Sequence, residues 1–323
     1  MEKINDDIIN IAFCIDENYA KFMNVTLISI LENNKDNYLQ IHILTDYLSK
    51  KEKSKIRDII NNYKNVSYKL YIVDDTKLLN LKTNRWSIHT WYRILLPSLL
   101  PREINRVLYL DADTLVTSDL KHLFKIKLEN IAIGGVLSGL TFNQETYIRC
   151  GYPKEKQYIC AGVLLINLEY WRKNNLTEKI IDWAKVYNER LVLPDQDAIN
   201  FICQDNKKIL PLKYGILNEF FKNENFFKGA LSNELKECIT NPKIIHFACK
   251  PWLKDSERHI MDFIWHKYNS KLPNPVKSFY SNNSVITNMK IIIWRLFHPD
   301  CNRPLHLQDI ILKFMDVDNK FNK

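Results

Sequence analysis

Between residues 8 and 73, short apolar runs alternate with stretches of helical periodicity: IINIAFCI, YAKFMNVTLISILENN, QIHILTD, LSKKEKSKIRDIINNY and VSYKLYIVD. Parallel strands need a crossover to return the chain to the same edge, and a helix is the usual crossover, so this alternation reads as βαβαβ units. The pattern predicts an α/β protein with a single doubly wound, mostly parallel sheet and flanking helices.

Farther along, HTWYRILLPSLLP reads as a helix ended by proline, and RVLYLDAD as a central strand, apolar on both faces before it turns acidic. Strands are also expected near IAIGGVL and YICAGVLLINL, and helices around LTEKIIDWAKVYNER and from Asp195. The acidic end of RVLYLDAD then falls at the carboxyl edge of the sheet, where open α/β sheets bind ligands at a switch in strand order. Residues 1–270 form the expected catalytic domain and 271–323 a helical tail.

Composition removes several classes. Seven cysteines, odd in number and without a C-x-x-C pair, indicate reduced thiols and neither a disulfide framework nor a zinc knuckle. The net charge of +9 favours acidic partners such as nucleotide phosphates, but it is spread too evenly for a nucleic-acid arm. The opening MEKINDDIINIAF lacks the basic leader of a signal peptide, and no apolar run reaches the roughly 18 residues of a membrane span. A cytoplasmic protein is expected.

The chemistry concentrates on Asp111-Ala112-Asp113. In an extended strand the side chains of Asp111 and Asp113 point the same way, so both converge on one cation, and two hard oxygen ligands suit Mg²⁺ or Mn²⁺. Read alone, D-x-D is equally an acidic turn ending a strand. The apolar run IIHFACKPW delivers His246, with Lys250 four residues later. An imidazole beside two carboxylates tilts selectivity toward Mn²⁺, and a lysine supplies a compact charge to a phosphate.

Taken in order, FCIDENYA, WYRILLP, VLYLDADTLV, CAGVLLINLEYWR, PDQDAIN and HFACKPW resemble the family 8 retaining glycosyltransferases, in the pattern of bacterial lipopolysaccharide galactosyl- and glucosyltransferases. The likeness runs from about residue 8 to about residue 265. It implies a GT-A type fold and retaining transfer of a hexose, galactose or glucose, from a UDP-sugar to a glycan acceptor of lipopolysaccharide, capsule or another cell-surface glycan.

Position by position, the resemblance implies that Asp111, Asp113 and His246 hold Mn²⁺ or Mg²⁺. Asp16 and Asn18 would bond uracil; Thr90, Arg93, Asp111, Ala112 and Lys250 would hold the diphosphate and sugar. Asp195, Gln196 and Asp197 would face the anomeric carbon. Asp195 also reads as an N-cap after Pro194. Cys160, Ser138 and the short His246-to-Lys250 spacing depart from the family pattern at the sugar and phosphate pocket, so the donor sugar stays open.

In the tail, Val285, Met289, Ile292 and Leu296 share a helical stripe. That stripe suits either a core-docking helix or peripheral contact with the inner face of a membrane carrying a lipid-linked acceptor. Two rivals remain. A haloacid-dehalogenase-like phosphatase also uses D-x-D, though there the motif stands near the chain start with Thr one position later than Thr114. A non-catalytic nucleotide-sugar binding protein could share the fold.

Overall fold

The computed structural model describes residues 8–253 and 259–278. Nine strands alternate with helices: β1 Ile8–Cys14, β2 Tyr38–Thr45, β3 Val66–Ile72, β4 Arg106–Leu110, β5 Thr114–Val116, β6 Ile133–Leu137, β7 Ile159–Asn167, β8 Lys207–Leu210 and β9 Ile244–His246. Seven of them form one sheet in the order β3-β2-β1-β4-β7-β6-β8. Within it only β7 runs antiparallel, paired with β4 and β6. The expected mostly parallel, doubly wound sheet is present.

The inner strands β1, β4, β6 and β7 are buried on both faces, which explains their near-continuous apolar runs, while the edge strands β3 and β8 are partly exposed. Ile11, Phe13, Leu108 and Leu110 pack into one core with the helix Ala20–Asn33, and Ala12, Val107 and Tyr109 into the other, as alternation of side chains requires. From β1 the chain crosses to β2 and then β3 on one side, and from β3 it returns to β4 on the other side of β1. The strand order therefore reverses between β1 and β4, and the crevice beyond their carboxyl ends lies where Cys14 leads to Asp16 and Leu110 to Asp111.

β5 and β9 form a separate two-stranded antiparallel ladder in which Thr114 faces His246. It carries the chain end of the apolar run IIH to the crevice.

Two local expectations change. HTWYRILLPSLLP is not one helix: Ile88–Leu95 is a 3-10 helix, Pro97 lies in the first turn of the next helix, Leu96–Leu99, and that helix ends just ahead of Pro101 as expected. Proline lacks an N–H that the first turn does not need, so it starts a helix as readily as it ends one. The helix expected from Asp195 begins at Pro194, and its N-cap is Leu193, so Asp195 is not the cap. The tail stripe lies outside the described residues. Among the described residues no helix is long and apolar enough to cross a membrane.

Candidate active site

β4 stops at Leu110, and Asp111 to Asp113 form a turn rather than continuing the strand. Thr114 closes it by donating its backbone N–H and its hydroxyl to Asp111 O, at 3.1 and 2.9 Å. Beneath it the buried Thr26 hydroxyl lies 2.9 Å from Ala112 O and 2.7 Å from Thr114 O, pinning the turn to the helix Ala20–Asn33. The two carboxylates thus converge through turn geometry and not through strand alternation.

Opposite them, the β5–β9 ladder positions His246, and Phe247 N–H donates to Asp113 O at 2.9 Å. His246 Nε2 lies 3.6 Å from Asp111 Oδ2 and 3.3 Å from Asp113 Oδ1. Asp111, Asp113 and His246 offer ligand atoms all within 4.8 Å of one another. Asp113 is buried and, among the described residues, its Oδ1 accepts no hydrogen bond, while Lys250 pairs with Oδ2. A buried carboxylate oxygen without a donor is costly unless something electropositive completes it. Two carboxylates and an imidazole are the donor set for a divalent ion, so the residues fit one.

Burial alone would raise the Asp111 carboxyl, but Arg93, His246, the Tyr109 hydroxyl and Lys250 together hold it below the usual carboxylate range. For His246, burial favours the neutral ring, yet Cys160 and Asp111 outweigh it and leave its pKa raised. A cation on Nε2 would reverse that balance, because it takes the lone pair the proton would use.

Arg93 organises the floor of the crevice. Fully enclosed, it donates to Asp111 Oδ1 at 3.0 Å, Thr90 O at 2.8 Å and Ala161 O at 2.5 Å, and pairs with Asp195 Oδ2 at 3.1 Å. The guanidinium also lies 4.4 Å from the Tyr109 ring centre. Burial pushes the Asp195 carboxyl up to about 6, with Arg93 opposing and Asp111 adding to the rise. Beside it, Gln196 accepts from Ala161 N–H at 2.8 Å.

Asp197 does not join this group. It is solvent-inaccessible, and its oxygens are taken by Arg149, Tyr158 OH (2.6 Å), Val192 N–H (2.9 Å) and Leu193 N–H (3.1 Å). The expectation that it faces the reacting carbon therefore meets a carboxylate saturated by protein donors. Asp16 accepts from Tyr19 N–H at 2.8 Å at the carboxyl end of β1, and Asn18 is exposed beside it.

The sequence did not single out Tyr19, Arg149 or Tyr158, and it marked Cys160 only as a departure from the family pattern. Tyr19 presents a ring 38% exposed next to Asp16. The Cys160 thiol stands 3.6 Å from His246 Nδ1. Arg149 and Tyr158 hold Asp197. Tyr19, inside FCIDENYA, and Cys160, at the head of CAGVLLINLEYWR, carried a signal; Arg149 and Tyr158 depend on contacts between distant segments.

Several known proteins are similar to this chain. A lipopolysaccharide 1,2-glucosyltransferase of Escherichia coli is 30% identical over 272 residues, 80% of this chain and 78% of that protein. A lipopolysaccharide 1,3-galactosyltransferase of Salmonella typhimurium is 26% identical over 76% of this chain and 73% of its own length. The crystal structure of galactosyltransferase LgtC, in complex with donor and acceptor sugar analogs, superimposes with a TM-score of 0.73 at 21% identity, covering 82% of this chain and 97% of that one. That likeness establishes a shared fold, of GT-A type. The sequence profile described as glycosyl transferase family 8 spans residues 10–256, including Asp16, Arg93, the Asp111 turn, Asp195 and His246. With the carboxylates and the imidazole gathered at the switch in strand order, the chain belongs to glycosyl transferase family 8.

Proposed function

We propose that the protein transfers a hexose, glucose or galactose, from a UDP-sugar to a glycan acceptor with retention of configuration, in assembly of lipopolysaccharide or a related surface glycan. The observation that carries this reading is the convergence of Asp111, Asp113 and His246, ligand atoms within 4.8 Å of one another, with Lys250 on the Asp113 carboxylate. The names of the glucosyl- and galactosyltransferase relatives support a hexose.

In this reading Asp111, Asp113 and His246 hold Mn²⁺, which when bound supplies Lewis-acid stabilisation of the diphosphate. Lys250 places its ammonium where negative charge grows as UDP departs. Asp16 and Asn18 bond the uracil edge, and the exposed Tyr19 ring offers a face on which a base stacks. Arg93 fixes Asp195 and the Asp111 carboxylate from below and so sets the depth at which the sugar rests, with Thr90 and the backbone at Ala112 lining the same wall.

Gln196 is held by Ala161 N–H through its oxygen and by the Tyr158 hydroxyl through its amide, which fixes the side chain at the wall where the donor sugar rests. Asp197 is tied up by five donors, the Cys150 thiol at 3.6 Å among them, and Asp195 by Arg93, which supports a front-face route over attack by a protein carboxylate. The leaving phosphate then takes the proton from the acceptor hydroxyl. Such an enzyme works in the cytoplasm, and contact of residues 271–323 with the inner membrane face belongs to the same proposal.

A panel of UDP-sugars incubated with the protein and Mn²⁺ tests this without an acceptor. Slow hydrolysis of UDP-glucose or UDP-galactose, abolished in Asp113→Asn, is expected. Turnover of none of them, or full turnover by Asp113→Asn, overturns it.

A further inference from the structure

The connection between β6 and β7 carries the short helix Gln144–Cys150, and Arg149 on it reaches the start of the helix Pro194–Ile202. Arg149 Nη1 pairs with Asp197 Oδ2 and lies 3.3 Å from Arg190 O. Tyr158 OH donates to Asp197 Oδ1 at 2.6 Å. The carboxylate in turn accepts from Val192 and Leu193 N–H, while Asp197 N–H donates to Leu193 O at 2.7 Å.

The residue at the cap position, Leu193, has no side-chain acceptor, and Pro194 has no N–H, so this helix start has no ordinary cap. Asp197 replaces it by binding the chain just before the helix, and Arg149 and Tyr158 hold Asp197. Successive helical residues point about 100° apart, so Asp195, Gln196 and Asp197 leave the first turn in three directions. Arg93 takes the first, Ala161 N–H the second, and the Arg149–Tyr158 pair the third, with Tyr158 also bonded to the Gln196 side chain and so joining the last two. The third clamp contacts neither the metal-binding residues nor the uracil loop.

We propose that Arg149 is a positioning residue for transfer: through Asp197 it fixes the turn that presents Asp195 and Gln196 to the donor sugar, and it contributes nothing to holding the nucleotide. This rests on the UDP-sugar reading above and adds a residue to it. Loss of the clamp lets the turn shift relative to the sugar, and a misplacement on the order of 1 Å costs about a hundredfold in rate. The UDP moiety, bound from β1, β4 and β9, is untouched by that shift.

The test compares the full-length protein with Arg149→Met, Arg149→Lys and Tyr158→Phe, measuring UDP binding with Mn²⁺ by calorimetry and kcat for UDP-sugar hydrolysis. Arg149→Met is expected to bind UDP within about twofold of wild type and to lose about 10- to 100-fold in kcat, with Arg149→Lys between the two. UDP binding and kcat falling together by the same factor would mark a merely structural role and overturn the proposal, as would an unchanged kcat. Should Arg149→Met fail to fold, Tyr158→Phe, which leaves the ion pair intact, carries the test. It is expected to keep UDP binding and lose severalfold in kcat, and an unchanged kcat overturns the proposal. Wild-type turnover is measured first, so absence of any UDP-sugar hydrolysis counts against the functional reading and not against Arg149.

Discussion

A Cβ on Gly162 would stand 2.6 Å from His246 Nδ1 and 2.8 Å from Nε2, so only glycine leaves room for the imidazole where it lies. Gly162 is also the β7 residue whose carbonyl accepts from Asp111 N–H at 2.9 Å. One backbone position thus spaces an aspartate and a histidine that meet from distant parts of the chain. Gly162→Ala is expected to displace His246 and weaken Mn²⁺ binding about 10- to 100-fold, as loss of ligand orientation does elsewhere. Calorimetric titration with Mn²⁺ checks this, and wild-type affinity in the variant would refute it.

Lys250 and a divalent ion compete for the charge of Asp113. Lys250→Ala is expected to bind Mn²⁺ in the absence of nucleotide at least as tightly as wild type. UDP-sugar turnover should nonetheless fall about 100-fold, the effect of deleting one group that stabilises developing charge. Parallel loss of metal binding and turnover would show that the lysine serves the metal site only.

Replacing Arg93 by lysine keeps the charge but removes the planar fork that reaches Asp111, Asp195, Thr90 O and Ala161 O together. Two buried carboxylates lose partners, so Arg93→Lys is expected to destabilise the fold by about 3 kcal/mol and to reduce turnover by at least about 100-fold. Urea denaturation and hydrolysis rates measure the two effects.

The buried His42 ring, between Asn10 Oδ1 and Tyr71 OH, is pulled down to about 4 by burial, with Lys69 adding to the shift. Unfolded, a histidine takes its proton near 6.5. Between these values the unfolded chain binds more protons, so stability is complete above about pH 6.5 and falls as the pH drops toward 4. The loss amounts to about 3 kcal/mol, and His42→Gln should remove that part of the slope. Denaturation midpoints at several pH values decide it.

The sheet was readable because its inner strands are apolar on both faces and its crossovers carry helical periods, which places Asp111 and Asp16 at the right edge. Strand direction was not: ICAGVLLIN is apolar throughout, and nothing in it separates an antiparallel β7 from a parallel one. The Asp111 turn escaped because its closure depends on Thr26, a helix residue far upstream. His246 drew attention beside Lys250 from residue type alone, whereas its approach to Asp113 needs the β5–β9 pairing. Asp197 was misplaced for a similar reason, since Arg149 and Tyr158 come from a separate loop.

The pairing of Thr114 with His246 also sets an order of events in synthesis. The ladder joins the first half of the chain to its last third, so the loop after β1, Arg93 and the Asp111 turn all leave the ribosome well before the histidine that meets them. A nascent or truncated chain ending ahead of residue 246 has a nearly complete sheet and no functional metal centre. Tight metal uptake therefore marks the moment the C-terminal segment has docked, and the enzyme stays silent until its fold is nearly finished.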